Sequence, residues 1–313
     1  MKLETKLQVG GRFKFTVRQQ TTHEITRSSG WFDNIVLDQG LDIMATKSWF
    51  QSCKVGRGNS EPQATQTQLD QFFAVSSTLF SSEYGAAQEA PYFFFSRKTY
   101  RFAAGVFDNT ILSEVAIGHD TVNQGNGIWN RALIRDDAGQ PTTITVLKDE
   151  YLDVTCEVRV YPNTADVAGS FNLYDRDNQL ISTHTTLTRP MQVTNSVAEL
   201  GSGVAVKSTA TAATLWTGEI AEITSAPQGQ ILNSLGTGAS SYNFLDYVSG
   251  SHKATFQWEI PLNYGNARDI QSISLRSNLG SYQTEVNPPL RKSDRQVLIL
   301  NLTVTWSRYA GND

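Results

Sequence analysis

The segment Arg12-Phe13-Lys14-Phe15-Thr16-Val17-Arg18 alternates polar and apolar residues without a fault, and no other pattern constrains the fold as strongly. Successive side chains of an extended strand point to opposite faces. Phe13, Phe15 and Val17 therefore share one face, and the cations and Thr16 share the other. Such a strand is half-buried and needs a second layer over its apolar side. Comparable runs follow at 98–104, 112–117, 143–147, 152–161, 169–174, 255–262, 270–275 and 297–306, each flanked by Gly, Asn, Asp, Pro or Ser, the residues of turns. The chain reads as mainly β, built of antiparallel β-sandwich domains. The last run begins apolar on both faces before it alternates, which predicts a central strand covered on both sides at its start.

Helical signals are short and confined to the first hundred residues. Leu41, Met44, Ala45 and Trp49 recur near a 3.6 period in 40–50, behind Asp38 as a cap. A second helix is predicted from Thr65, where Gln68 completes a capping box ahead of Leu69, Phe72 and Phe73. Segment 201–254 is dense in Gly, Ser, Thr and Ala with little periodicity, and reads as long contact loops. At 313 residues the chain exceeds the roughly 100 to 200 of one domain. The expected division is an N-terminal β-rich domain with short helices over 1–147, then a C-terminal β-sandwich over 148–313 that carries those loops.

Charge and composition narrow the function classes. With 26 basic and 30 acidic residues the net charge is −4, and no run of five like charges occurs, so nucleic acid is not an expected partner. The aromatic run Tyr92-Phe93-Phe94-Phe95 falls far short of the roughly 18 apolar residues that span a bilayer. No membrane insertion is expected. Met1-Lys2-Leu3-Glu4-Thr5-Lys6-Leu7 carries charge at every second or third position and lacks an apolar core, so no secretory signal is read there and folding in a cytoplasm is expected. Charged residues make up 18%, below the usual ~25%, with Ser, Thr, Asn, Gln and Gly in their place. Such a surface suits broad subunit contacts, and it also suits an ordinary β protein.

No motif assembles a reaction centre. Gly56-Arg57-Gly58 opens like a dinucleotide fingerprint, but Glu61 and Pro62 break it, leaving a turn. Asp175-Arg176-Asp177-Asn178 lacks the Gly and the bidentate Glu of a calcium loop, since Leu180 and Thr186 stand there. It reads as a hairpin turn between Phe171–Tyr174 and Leu180–Ser182. Cys53 and Cys156 have no near cysteine, and His23, His119, His184 and His252 are scattered, so no zinc site is predicted. The thiols read as buried small hydrophobes, with a disulfide left open. Asp149, Glu150, Glu219, Glu222 and Asp246 are isolated carboxylates, and no hydrolase signature accompanies them. Glycan cleavage would leave no local signature and stays as a minor alternative. Trp31, Trp49, Trp129, Trp216, Trp258 and Trp306 could stack on sugars, but core packing is the expectation for each.

Several segments nevertheless resemble proteins of the tail and adsorption region of tailed double-stranded DNA phages. The run Gly30-Trp31-Phe32-Asp33-Asn34-Ile35-Val36-Leu37-Asp38-Gln39-Gly40-Leu41-Asp42 is similar to a recurrent GWFDNxIxDxGLD element. Cys53-Lys54-Val55-Gly56-Arg57-Gly58-Asn59-Ser60-Glu61-Pro62 resembles the xxVGxGNxxP that follows it. Thr99 to Gly105, Leu112 to Gly118 and Arg131 to Asp136 come next in the same order, then Asp149 to Pro162, with Cys156 where an aromatic is common. The likeness covers roughly 25–165, with a weaker echo around 282–289 and 306–308.

The resemblance implies a non-enzymatic virion structural protein of tail fibre, minor tail or tail-tip type, assembled in the host cytoplasm. Its implied partners are further copies of itself, other phage tail proteins and, in a receptor-binding alternative, a host cell-surface receptor. A head decoration or collar protein is the other alternative. No catalytic, cofactor-binding or metal residue is assigned. Trp31, Phe32, Ile35 and Leu37 crowd apolar area between Gly30 and Gly40. Trp31 is accordingly expected to be a buried anchor, its truncation costing about 3 to 5 kcal/mol.

Overall fold

A computed structural model describes residues 2–174, 177–195, 203, 205–208, 212–235, 241–262, 268–293 and 296–311. Among the described residues strands hold 55% and helix 4%, which places the chain in the mainly β class that the alternation implies. The largest sheet has nine strands. Its order from one edge is Ser241–Phe244, Lys253–Ile260, Leu298–Arg308, Lys2–Gln19, Glu150–Pro162, Phe94–Phe102 and Leu79–Ala86, with Ile25–Ser28 and Phe32–Asp33 also on the first strand. Neighbours run antiparallel except the first and last strands of the chain, which pair in parallel from Lys2↔Asn301 to Val9↔Arg308. This sheet draws strands from both sides of residue 147.

Two smaller sheets complete the layers. One has five strands: Ile35–Val36, Asn130–Leu133, Glu114–Gly118, Ser52–Gly56 and Phe72–Ser76. The other has six: Val167–Tyr174, Leu180–Pro190, Gly280–Arg291, Asp269–Ser277, Ala212–Trp216 and Ile231–Leu235. A two-stranded ribbon joins Thr110–Leu112 to Ile144–Val146. On the first strand Leu3, Thr5, Leu7, Val9, Phe13, Phe15 and Val17 all face inward and are buried, so the predicted alternation continues back to the N-terminus. One continuous core joins Phe13, Phe15, Val154 and Leu302 of the large sheet to Val55, Val115 and Ile117 of the five-stranded sheet. The same core takes in Ile273, Leu275, Tyr282 and Val286 of the six-stranded sheet.

Four expectations need correcting. The one α-helix among the described residues is Asp38–Thr46, and Leu37 rather than Asp38 holds its N-cap position, with no side-chain cap bond. Trp49 and Phe50 lie beyond its end and are buried. No helix starts at Thr65: the backbone N–H groups of Asp70 and Gln71 donate to the Glu114 carboxylate instead of to carbonyls one turn back, and Phe72 and Phe73 belong to a strand. The last strand is central in the sheet, as read, but Val297 and Ile299 are exposed at its start. Within 201–254 lie three short strands, at 212–216, 231–235 and 241–244. Gly201, Ser202, Ala210 and 236–240 fall outside the described residues.

Candidate functional site

Three of the segments that carry the resemblance meet at one buried ion pair. Glu114 and Arg131 lie on neighbouring strands with both side chains fully buried, and Arg131 Nε donates to Glu114 Oε2 at 2.9 Å. The same carboxylate accepts the backbone N–H groups of Gly58 at 2.8 Å, Gln71 at 2.8 Å and Asp70 at 3.0 Å. Arg131 also reaches Gln66 and Asp70, each at 2.8 Å. A charge pair taken out of water is tolerable only when its remaining hydrogen-bonding capacity is met, and here it is. The pair fastens the 57–71 loop to the five-stranded sheet.

The glycines of these segments are required by space. A Cβ on Gly56 or Gly58 would stand 2.5 Å from Glu114 Oε1, and one on Gly40 would stand 1.9 Å from the Trp129 carbonyl oxygen. None of the three has positive φ, so close packing and not backbone handedness is the reason for them. Gly40 lets the helix backbone rest directly on the strand that follows Trp129. These segments are joints of the scaffold.

The outward face of the large sheet is different in kind. Glu157 is fully buried beneath three arginines: Arg12 and Arg159 each hold Oε1 at 2.7 Å, and Arg97 Nε holds Oε2 at 2.6 Å. Burial pushes the Glu157 carboxyl up, but hydrogen bonds from Arg12 and Arg159 outweigh it and leave the group below its ordinary value. Above the arginines lies Trp31, 4.2 Å from the Arg12 guanidinium and 5.5 Å from that of Arg97. Two rungs along the same face, Asp153 binds Arg101 at 2.7 and 2.8 Å. That guanidinium sits 3.7 Å from the Phe80 ring and 4.1 Å from Tyr151. The arginine cations thus lie against aromatic rings, with Trp31 37% and Phe80 57% exposed. Trp, Tyr and Arg in rigid, part-covered positions are the residues that dominate protein–protein binding energy.

This corrects the expectation for Trp31, which is a surface residue. In an extended segment Trp31 and Phe32 must point to opposite sides. Phe32 takes the core side, opposite Phe13 in register and 5.9 Å ring to ring from Phe15. Phe32 is the anchor. The face ends at Leu79–Ala86, which pairs only with Phe94–Phe102 among the described residues and carries exposed Leu79, Phe80 and Tyr84. An unpaired edge without Lys or Pro is open to strand addition.

The other sequence candidates are dispersed. Trp49, Trp129, Trp258 and Trp306 are buried as expected, and Trp216 is half-buried with Nε1 donating to Ser274. Glu150 is buried and holds Arg27, Thr26 and the Leu147 N–H, whereas Glu219, Glu222 and Asp246 are exposed. Residues 167–190 form the predicted hairpin, with Tyr174 opposite Leu180; Asp175 and Arg176 lie outside the described residues. Among the described residues no three His, Cys, Asp or Glu side chains gather as a metal site. An open cavity of about 440 Å³ between the hairpin tip and the last strand is walled by Leu173, Tyr174, Ile181 and Leu290, with Arg291 at its rim.

Part of the supposed loop region is pinned. Asp42 of the helix accepts from Tyr247 Oη at 2.6 Å, Ser249 Oγ at 2.5 Å and the Gly250 N–H at 2.7 Å. Burial raises the Asp42 carboxyl, but these bonds win and set it below its ordinary value. Tyr247 in turn stacks on Trp306, whose Nε1 donates to the Leu41 carbonyl at 2.9 Å.

Comparison with known proteins adds no relative: no protein-family model matches the chain, and no curated protein or solved structure is significantly similar to it.

Proposed function

We propose that this chain is a non-enzymatic structural subunit of a tailed double-stranded DNA phage particle, placed in the tail or its tip or fibre. Function on this reading resides in surfaces through which the subunit binds copies of itself and neighbouring tail proteins. The observation that carries it is the outward face of the large sheet, where Trp31 and Phe80 stand exposed against arginines already fixed by Glu157 and Asp153. Side chains ordered before binding lose little freedom on docking, so such a face favours a protein partner. The resemblance supplies the particle, and its segments fall on joints that would preserve the scaffold.

A host-receptor contact is the second reading, and the exposure of Trp31 favours it, because a buried anchor could not touch a receptor. The deciding experiment is mass spectrometry of purified particles combined with imaging of tagged subunits. A fixed, symmetric number of copies in the tail is expected. Recovery of the chain from infected-cell lysate but not from particles would overturn the proposal.

A further inference from the structure

Between the arginine rung of Arg12, Glu157 and Arg97 and that of Asp153 and Arg101 runs a rung of shorter side chains. Thr155 and Thr99 lie side by side in register, Oγ1 to Oγ1 at 3.0 Å, with Ser81 next on the edge strand and Lys14 at the other end. Alternate residues of a strand advance about 7 Å, so the two arginine rungs stand about 13 Å apart with this lower row as the floor between them. Each bank carries an exposed ring against its guanidinium, Trp31 on Arg12 and Phe80 on Arg101. The floor opens at the sheet edge, because the strand of Ser81 is paired on one side only among the described residues.

Charge on this face is not balanced. Glu157 serves Arg12, Arg97 and Arg159, Asp153 serves Arg18 and Arg101, and Glu83 returns to Arg97. Even with Asp33, which stands opposite Arg12, cations remain in excess, in a chain whose net charge is −4. Arg12 and Arg101 spend Nε and Nη2 on their carboxylates, and Nη1 of each has no partner among the described residues. Their side chains keep 25% and 26% of their surface open. Half-buried Lys14 makes neither hydrogen bond nor ion pair among the described residues. These donors can be satisfied only by water or by an anion from outside, since the carboxylates beneath are already shared.

We propose that this row is a docking groove for an extended acidic segment of a partner protein. Lys14 and the Nη1 groups of Arg12 and Arg101 receive its carboxylates, and Trp31 and Phe80 receive its apolar side chains. The inference rests on the reading of this face as protein-binding. A floor one side chain wide admits a single extended chain rather than a folded surface. Guanidinium groups held from below by Glu157 and Asp153 lose little freedom when a carboxylate arrives, and arginine clusters of this kind read acidic motifs. Exposed rings banked with arginine are the groups that dominate contacts between proteins, which favours a peptide over an acidic polysaccharide.

The test pans a random dodecapeptide library against the immobilised full chain and titrates the enriched peptides by calorimetry, with polygalacturonate alongside. Enriched sequences should combine several Asp or Glu with an aromatic or aliphatic residue, and their binding should weaken as salt rises. Lys14→Glu and Trp31→Ala should each weaken it by about tenfold or more, while both variants still unfold cooperatively in urea. No enrichment, enrichment of neutral or basic peptides, equal binding by wild type and both variants, or tighter binding of polygalacturonate than of any enriched peptide would each overturn the proposal. The assay uses the isolated chain, so its failure leaves placement in the particle untouched, and absence from particles would leave a measured peptide affinity standing.

Discussion

Removing the Glu114 carboxylate should be among the most damaging single changes to this fold. In Glu114→Ala the N–H groups of Gly58, Asp70 and Gln71 lose their acceptor, and Arg131 loses one of its two carboxylates while Asp70 stays at 2.8 Å. Breaking a buried ion pair from one side typically costs about 3 to 5 kcal/mol. The retained Asp70 partner keeps the guanidinium from being stranded, so about 4 kcal/mol is expected. Glu114→Gln keeps one carbonyl oxygen as acceptor and should cost about half as much, since the lost hydrogen bonds to charge are worth about 1.5 to 3 kcal/mol each. Equilibrium urea unfolding measures both values. Hydrogen exchange adds a local readout, because the amides of Gly58 and Gln71 should lose protection before the rest of the sheet. A loss below about 1 kcal/mol for Glu114→Ala, with those amides still protected, would refute the claim that this carboxylate fastens the 57–71 loop.

Trp31→Ala should cost no more than about 1 kcal/mol, the size of an exposed cation–π contact, whereas Phe32→Ala should cost about 3 to 5 kcal/mol; urea midpoints reversing that order would refute the assignment of Phe32 as anchor. Gly40→Ala places a Cβ 1.9 Å from the Trp129 carbonyl oxygen and should cost about 3 kcal/mol through overpacking, which thermal melts followed by circular dichroism would register. Asp42 and Glu157 both have lowered carboxyl values in the folded state. Their contribution is present above the unfolded value near 4 and is lost as pH falls through the folded one. The urea midpoint should therefore hold from pH 7 to about 5 and fall below about 4, less steeply in Asp42→Asn. Far-ultraviolet dichroism should show strand with helix under roughly 15%, against an average of about 30 to 35%.

What could be read from sequence was whatever local periodicity dictates. The alternation at 12–18 follows from one side chain pointing opposite to the next, and the hairpin at 171–182 from turn residues between two short runs; the last strand is central, but not for the reason its apolar start suggested, since Val297 and Ile299 are exposed. Periodicity could also say that Trp31 and Phe32 take opposite faces. It could not say which is buried, because that depends on Phe13 and Phe15 arriving from the first strand. Thr65 to Phe73 shows the same limit: a sound capping box lost to a carboxylate more than forty residues away. Glu114 and Arg131 are each the lone charge of a short strand, and a buried lone charge demands a partner. That signal was present and is usable elsewhere.

The division of labour between segments bears on how the resemblance should be weighed. Gly40, Gly56, Gly58, Glu114 and Arg131 tolerate little change for reasons of space and buried charge, whatever the protein binds. A pattern made of such joints keeps its spelling while the outward surface diverges, so likeness in them speaks to the scaffold first. The residues that would choose a partner lie on the other face of the large sheet and at its Leu79–Ala86 edge, where Trp31, Phe80 and Tyr84 depend on no such constraint. Substitutions at the joints should therefore lower stability and assembly together. On the proposed function, substitutions on the face should alter assembly alone, and only the second class can reveal what the chain binds.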